Sequence, residues 1–116
     1  MDIILYHNPR CSKSRQTLAL IEEHGAEFTV VEYLKTPPSH QQLDSILRGL
    51  DMEPRDLIRT SQTEYSEQGL DNEELSRDQL IAAMIQTPIL IERPILVAGN
   101  QVAIGRPPEN AAAILP

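Results

Sequence analysis

The sequence predicts an α/β fold, a mixed and mostly antiparallel sheet of about four strands flanked by helices, with a helical insertion over residues 39–88. Three observations predict it. A β-type run, a turn, a helical run and a second β-type run follow one another at the start of the chain. Helix-start signals crowd the middle, and a two-residue hairpin signal joins two short β-type runs near the end.

Ile3–Tyr6 is the first β-type run, closed by the turn formers His7-Asn8-Pro9. A helical pattern follows with Ser14, Leu18 and Ile21 on one face, and Gly25 stops it. Phe28–Tyr33 returns to β-favouring residues. Such a β-α-β opening gives parallel strands joined by a right-handed crossover. After Lys35–Pro38, the run Ser39-His40-Gln41-Gln42 is a capping box, and Leu43, Ile46, Leu47 and Leu50 form the stripe of its helix. Pro54 suits the first turn of a short helix reaching Ile58. Ser61 with Glu64 reads as a second capping box, stopped by Gly69. Ser76 with Gln79 reads as a third, with Leu75 and Leu80 in staple positions and Met84 and Ile85 on the same helix. Beyond Pro94, Ile95–Ala98 and Gln101–Ile104 flank Gly99-Asn100, a hairpin signal. Pro107 or Pro108 opens a final helix that reaches the C-terminus, completing a β-β-α part.

The 116 residues correspond to a single domain spanning 1–116, large enough to fold without a metal or disulfide staple. With no Trp and one Phe, its core must be aliphatic. One Cys excludes an internal disulfide and a cysteine-rich metal site, so no metal is expected. The apolar run at the start is short for a signal peptide, and no stretch approaches the ~18 apolar residues of a membrane span. The expected setting is the cytoplasm, away from membranes.

Charge is unevenly spread. Residues 1–20 hold one acid, Asp2, against Arg10, Lys13 and Arg15, whereas residues 21–80 hold 14 acids against five bases. No basic stripe suited to nucleic acid is present, but a small anion needs only a local cluster, and the start of the chain has one.

Cys11 falls where the first strand and its turn give way to a helix. Free amides and the positive dipole end at a helix N-terminus favour a bound anion and a thiolate. Arg10, Lys13 and Arg15, with His7, are candidate cations beside it, and position and charge together push a thiol toward the reactive range. A free cysteine is more commonly a buried small hydrophobe. The polar flanks, the turn and the three bases favour reactivity here. His7 stands open between a turn histidine and a functional one. Three cysteine chemistries do not fit. Phosphatase loops need Arg six residues after the Cys, and position 17 is Thr. A dithiol centre needs Cys where Ser14 stands, and His24 and His40 sit on ordinary polar helix positions rather than as a protease base. A monothiol site remains, with its resolving thiol on another molecule. Arg59, Arg93 and Arg106 carry guanidinium forks suited to tetrahedral oxyanions, although spacing alone does not bring them together.

Several segments are similar to one family throughout the chain. They are Tyr6-His7-Asn8-Pro9-Arg10-Cys11-x-x-Ser14-Arg15, Tyr33-Leu34-x-x-Pro37-Pro38, Leu57-Ile58-Arg59, Pro88 to Ile95, and Ile104-Gly105-Arg106-Pro107. The chain resembles the glutaredoxin-coupled arsenate reductases, of thioredoxin-like fold. Ser12-Lys13 and the end at Pro116 resemble the short reductase-like branch of that family. The resemblance implies that Cys11 is the nucleophile and that Arg59, Arg93 and Arg106 bind the oxyanion. It implies that His7, Asn8 and Ser14 support the thiolate, and that Pro94 is a cis proline beside it. It further implies arsenate as substrate, glutathione as co-substrate, glutaredoxin as partner, and no bound cofactor. Two other functions fit the residues: a redox-regulatory protein that binds a partner, and a monothiol glutaredoxin-like deglutathionylase, since Cys11-Ser12-Lys13-Ser14 has the Cys-x-x-Ser form.

Overall fold

In the computed structural model, which describes residues 2–116, β1 (Ile3–His7) runs into a tight turn and then α1 (Ser12–His24). β2 (Thr29–Glu32) returns alongside β1 in parallel, pairing Ile4 with Thr29 and His7 with Glu32. β3 (Ile95–Ala98) lies antiparallel on the other side of β1, and β4 (Gln101–Ile104) continues the hairpin outward. The sheet order is β2-β1-β3-β4, with one parallel and two antiparallel pairs, as the mixed pattern predicted.

The chain divides into two compact units. One holds the residues up to Thr36 together with Arg93–Pro116, and the other is Pro37–Glu92.

The first unit contains the whole sheet. One face of it carries Ile3, Leu5, Leu96 and Ala98, which bury against Ile21 of α1 and Ala111 of α6 (Glu109–Ala112). Alternation along β1 puts Ile3 and Leu5 on that face, as a period of two requires. Gly25 ends α1 in the left-handed region at φ 84°, and its N–H bonds the carbonyl of Glu22. Gly99 takes φ 63° in the two-residue turn between β3 and β4.

The second unit is helical: α2 (His40–Leu50), α3 (Pro54–Leu57), α4 (Thr63–Glu67), α5 (Arg77–Gln86) and a 3₁₀ turn at Pro88–Leu90. Ser39 and Ser76 each form the full reciprocal capping box expected of them, with Gln42 and Gln79. Leu43, Ile46, Leu47, Leu80, Ile81 and Met84 are buried. Asp44 ties α2 to α5. One oxygen accepts from two Arg77 nitrogens at 3.0 and 2.8 Å, the other from Arg48 at 2.8 Å. A single antiparallel bridge between Ile58 and Ile91 links the residue after α3 to the residue after the 3₁₀ turn.

Several sequence expectations need correction. β2 is shorter than Phe28–Tyr33, because the amides of Lys35 and Thr36 both turn back to the Glu32 carbonyl at 3.0 Å. Ser61 does not cap a helix. α4 starts two residues later with Gln62 as its cap residue and no side-chain cap bond. α5 does carry Leu80, Met84 and Ile85 as expected, with Leu80, Ile81 and Met84 buried and Ile85 half-buried. The last helix spans Glu109–Ala112 and does not reach the C-terminus. No helix among the described residues is long and apolar enough to cross a membrane.

Candidate active site

Cys11 is the N-cap residue of α1, in extended backbone at φ −93° and ψ 125°. Its own N–H bonds the Asn8 carbonyl at 3.0 Å, closing a turn over Pro9 and Arg10. The Asn8 side chain tightens that turn by accepting the Arg10 N–H at 3.0 Å. Sequence alone explains the shape: Asn and Pro favour a turn, and the helix begins where the proline has passed. The thiol is half-buried at the open helix end.

Partial burial pushes that thiol up, but the opposing influences win and hold it below an ordinary cysteine. In order they are the Ser14 amide, the positive charge of Arg93, the Lys13 amide and a hydrogen bond from Arg93. The Cys11 side chain makes no cap hydrogen bond, and these donors favour the charged form of its sulfur. The amides were legible as a helix N-terminus. The cation was not the one the local sequence suggested. Arg10 and Lys13 are exposed, and Arg15 extends its guanidinium to the Pro9 carbonyl at 3.0 Å. Arg93 acts on the sulfur instead, brought there by strand pairing: β3 meets β1 at Ile95 opposite Tyr6, so Pro94 and Arg93 emerge where β1 enters the cysteine turn.

His7, Asn8 and Ser14 form the support behind the turn. All three are buried, Ser14 completely. Ser14 Oγ lies 2.6 Å from His7 Nδ1 and accepts the Asn8 N–H at 3.0 Å. Burial pushes the His7 pKa down; Glu32 pulls it up and Arg15 pushes it further down, and the balance lies below the ordinary value. His7 is therefore a neutral hydrogen-bonding group and not a cationic neighbour of the thiol, which corrects that part of the sequence reading.

Both arginine–proline bonds are cis, Arg93-Pro94 and Arg106-Pro107. The first agrees with what the family resemblance implied. The second was not expected, and nothing local marks it. Arg106 lies just past β4, exposed, with its N–H on the Ile104 carbonyl. Arg59 belongs to the Pro37–Glu92 unit. There its amide bonds the Leu90 carbonyl at 2.7 Å and its guanidinium reaches the Ile89 carbonyl at 3.3 Å. The Gln62 carboxamide, with its oxygen toward those donors, accepts from the same guanidinium at 3.2 and 2.8 Å. The first unit thus brings together Cys11, Arg93, Pro94 and the His7–Asn8–Ser14 support, while Arg59 is held on the other unit. Sequence reasoning missed Thr17 and Gly105. Thr17 is fully buried one turn behind the support, and its hydroxyl donates to the Lys13 carbonyl at 2.8 Å. Gly105 donates its N–H to the Pro94 carbonyl at 2.9 Å. No signal in the sequence marks this contact, because it joins segments far apart along the chain. Among the described residues, no group of three or more His, Cys, Asp or Glu could hold a metal ion.

Comparison with known proteins places this arrangement. A family model described as the ArsC family matches residues 6–114. The chain is 45% identical to an arsenate reductase of Neisseria meningitidis, over 98% of each chain. It is 47% identical to the uncharacterized protein YfgD of Escherichia coli K12, over 96% of this chain and 94% of that one. Among solved structures, the arsenate reductase of Vibrio cholerae superposes with a TM-score of 0.94 at 46% identity, covering 99% of this chain and 98% of the other.

Proposed function

The chain belongs to the ArsC family, and from that membership we propose how it reduces arsenate to arsenite: through the Cys11 thiolate, with glutathione and glutaredoxin as electron donors. The observation that carries the reading is the seating of Cys11 at the α1 N-terminus with Arg93 beside its sulfur. A thiolate at neutral pH is the nucleophile this chemistry needs.

The cycle balances in four steps. The Cys11 thiolate attacks arsenic(V) and displaces one oxygen as water, forming a sulfur–arsenic bond. Glutathione then adds its sulfur to the same arsenic, releasing a second water. The glutaredoxin thiolate attacks the glutathione sulfur, the bond between that sulfur and arsenic breaks, and its electron pair passes to arsenic, taking it to arsenic(III) while it is still bound to Cys11. Water releases arsenite and returns the Cys11 thiol. Two electrons leave as one glutaredoxin–glutathione disulfide.

In this reading Arg93 steadies both the thiolate and the oxyanion, and Arg106, on the same unit, supplies a further guanidinium donor to the arsenate oxygens. His7, Asn8 and Ser14 hold the turn in shape. The lone cysteine then needs no resolving partner in its own chain, and a reducing compartment such as the cytoplasm supplies the donors.

The test is arsenate-dependent NADPH oxidation in the presence of glutathione, glutaredoxin and glutathione reductase, with each thiol donor omitted in turn. Turnover should stop without glutathione and fall severely without glutaredoxin. Turnover that survives both omissions would contradict the cycle.

A further inference from the structure

Gly105 is buried, and its backbone conformation is open to any residue, since its φ lies outside the left-handed region. What it lacks is room. A Cβ placed there would stand 2.5 Å from Thr17 Oγ1, 2.8 Å from Pro94 Cγ and 3.2 Å from Thr17 Cγ2. Neither neighbour yields cheaply. Thr17 is fully buried with its hydroxyl committed to the Lys13 carbonyl, and the Pro94 carbonyl accepts the Gly105 N–H.

Three chain segments meet at this point. Thr17 lies on α1, whose first residue follows Cys11. Pro94 follows Arg93 directly, and Gly105 precedes Arg106 directly. The hairpin register carries the same relation, since Ile95 pairs with Ile104 immediately before the contact. The distance from the helix to this end of the sheet is therefore set where a glycine lets threonine and proline close over it.

We propose that Gly105 and Thr17 are a positioning pair, whose close approach fixes how near the arginine-bearing segments at Pro94 and Gly105 stand to the N-terminus of α1. Neither residue need touch the substrate. A methyl group at position 105 pushes α1 away from β3 and β4, and Arg93 retreats from the Cys11 sulfur as it does so. The proposal rests on Cys11 and Arg93 acting as a pair, and its test needs no arsenate, so a failure of the arsenate reading is separately visible.

The test follows the rate of Cys11 alkylation by iodoacetamide against pH in three proteins: wild type, Gly105→Ala, and Gly105→Ala combined with Thr17→Ala. The single variant should titrate higher than wild type and alkylate about three- to tenfold more slowly near neutral pH, where one pKa unit is about tenfold in thiolate. The double variant, relieved of both Thr17 overlaps, should return toward the wild-type curve. A merely structural role would lower thermal stability and leave the thiol curve in place. A folded Gly105→Ala protein with the wild-type curve overturns the proposal. Should the single variant not fold, the double variant decides: a folded protein with the wild-type thiol curve supports the pair, and any other result overturns it.

Discussion

His7 Nδ1 and Ser14 Oγ stand 2.6 Å apart in a space closed to solvent, joining the end of β1 to the first turn of α1. The same oxygen accepts the Asn8 N–H, so one hydroxyl holds both a side chain and a backbone group of the cysteine turn. A neutral imidazole with its N–H at Nε2 can accept a hydrogen bond from the serine O–H at Nδ1, which uses every hydrogen-bonding capacity of the hydroxyl but one. The turn that presents Cys11 is thus stabilised from behind.

Replacing Ser14 by Ala removes both bonds and leaves two buried polar groups without that partner. The expected cost is about 1–3 kcal/mol of unfolding free energy, measured by urea titration. A variant as stable as wild type would show that the bonds are not needed to hold the turn.

The His7 shift has a signed consequence. Its folded pKa lies below the ordinary value, so the unfolded chain takes up a proton first as pH falls. Stability from this group is intact above about 6.5 and declines as pH drops below that toward the folded value. Comparing wild type with His7→Gln across that range by thermal unfolding should show a steeper acid loss in wild type. Parallel curves would contradict the assignment of His7 as a buried neutral group.

Arg93→Ala should raise the Cys11 titration toward the free-cysteine value of about 8.5 and slow alkylation near neutral pH about three- to tenfold. Arg10→Ala, an exposed change on the cysteine turn, should shift the curve far less. Equal shifts in the two variants would mean that local net charge, and not the Arg93 contact, activates the thiol.

The two serines read alike from sequence separate in the helical unit. Ser39→Ala should cost about 1 kcal/mol, because it breaks a formed capping box. Ser61→Ala, outside α4 and exposed, should cost close to nothing. Equal losses in chemical denaturation would contradict the observed helix start.

These contrasts show what the sequence could and could not carry. The pattern in β1, Gly25, Ser39, Ser76 and Gly99-Asn100 acts through neighbours a few residues away, and those features stand where the pattern put them. Ser61 has the same spacing as Ser39 but no strong apolar stripe after it, so its signal was not backed by burial. Cys11 was legible because a turn before a helix is a local event. Its cation was not, because Arg93 arrives by strand pairing with Tyr6 and Ile95 rather than along the helix. Gly105 and Thr17 were hidden for the same reason: a close approach between distant segments leaves no period in the chain.

The measurement that bears most directly on the account is arsenate-dependent NADPH oxidation, coupled through glutathione, glutaredoxin and glutathione reductase, in wild type and Cys11→Ser. The account predicts turnover in wild type that vanishes in the variant while its fold and stability persist. Turnover that persists in Cys11→Ser, or none from folded wild type whose thiol titrates low, would contradict it.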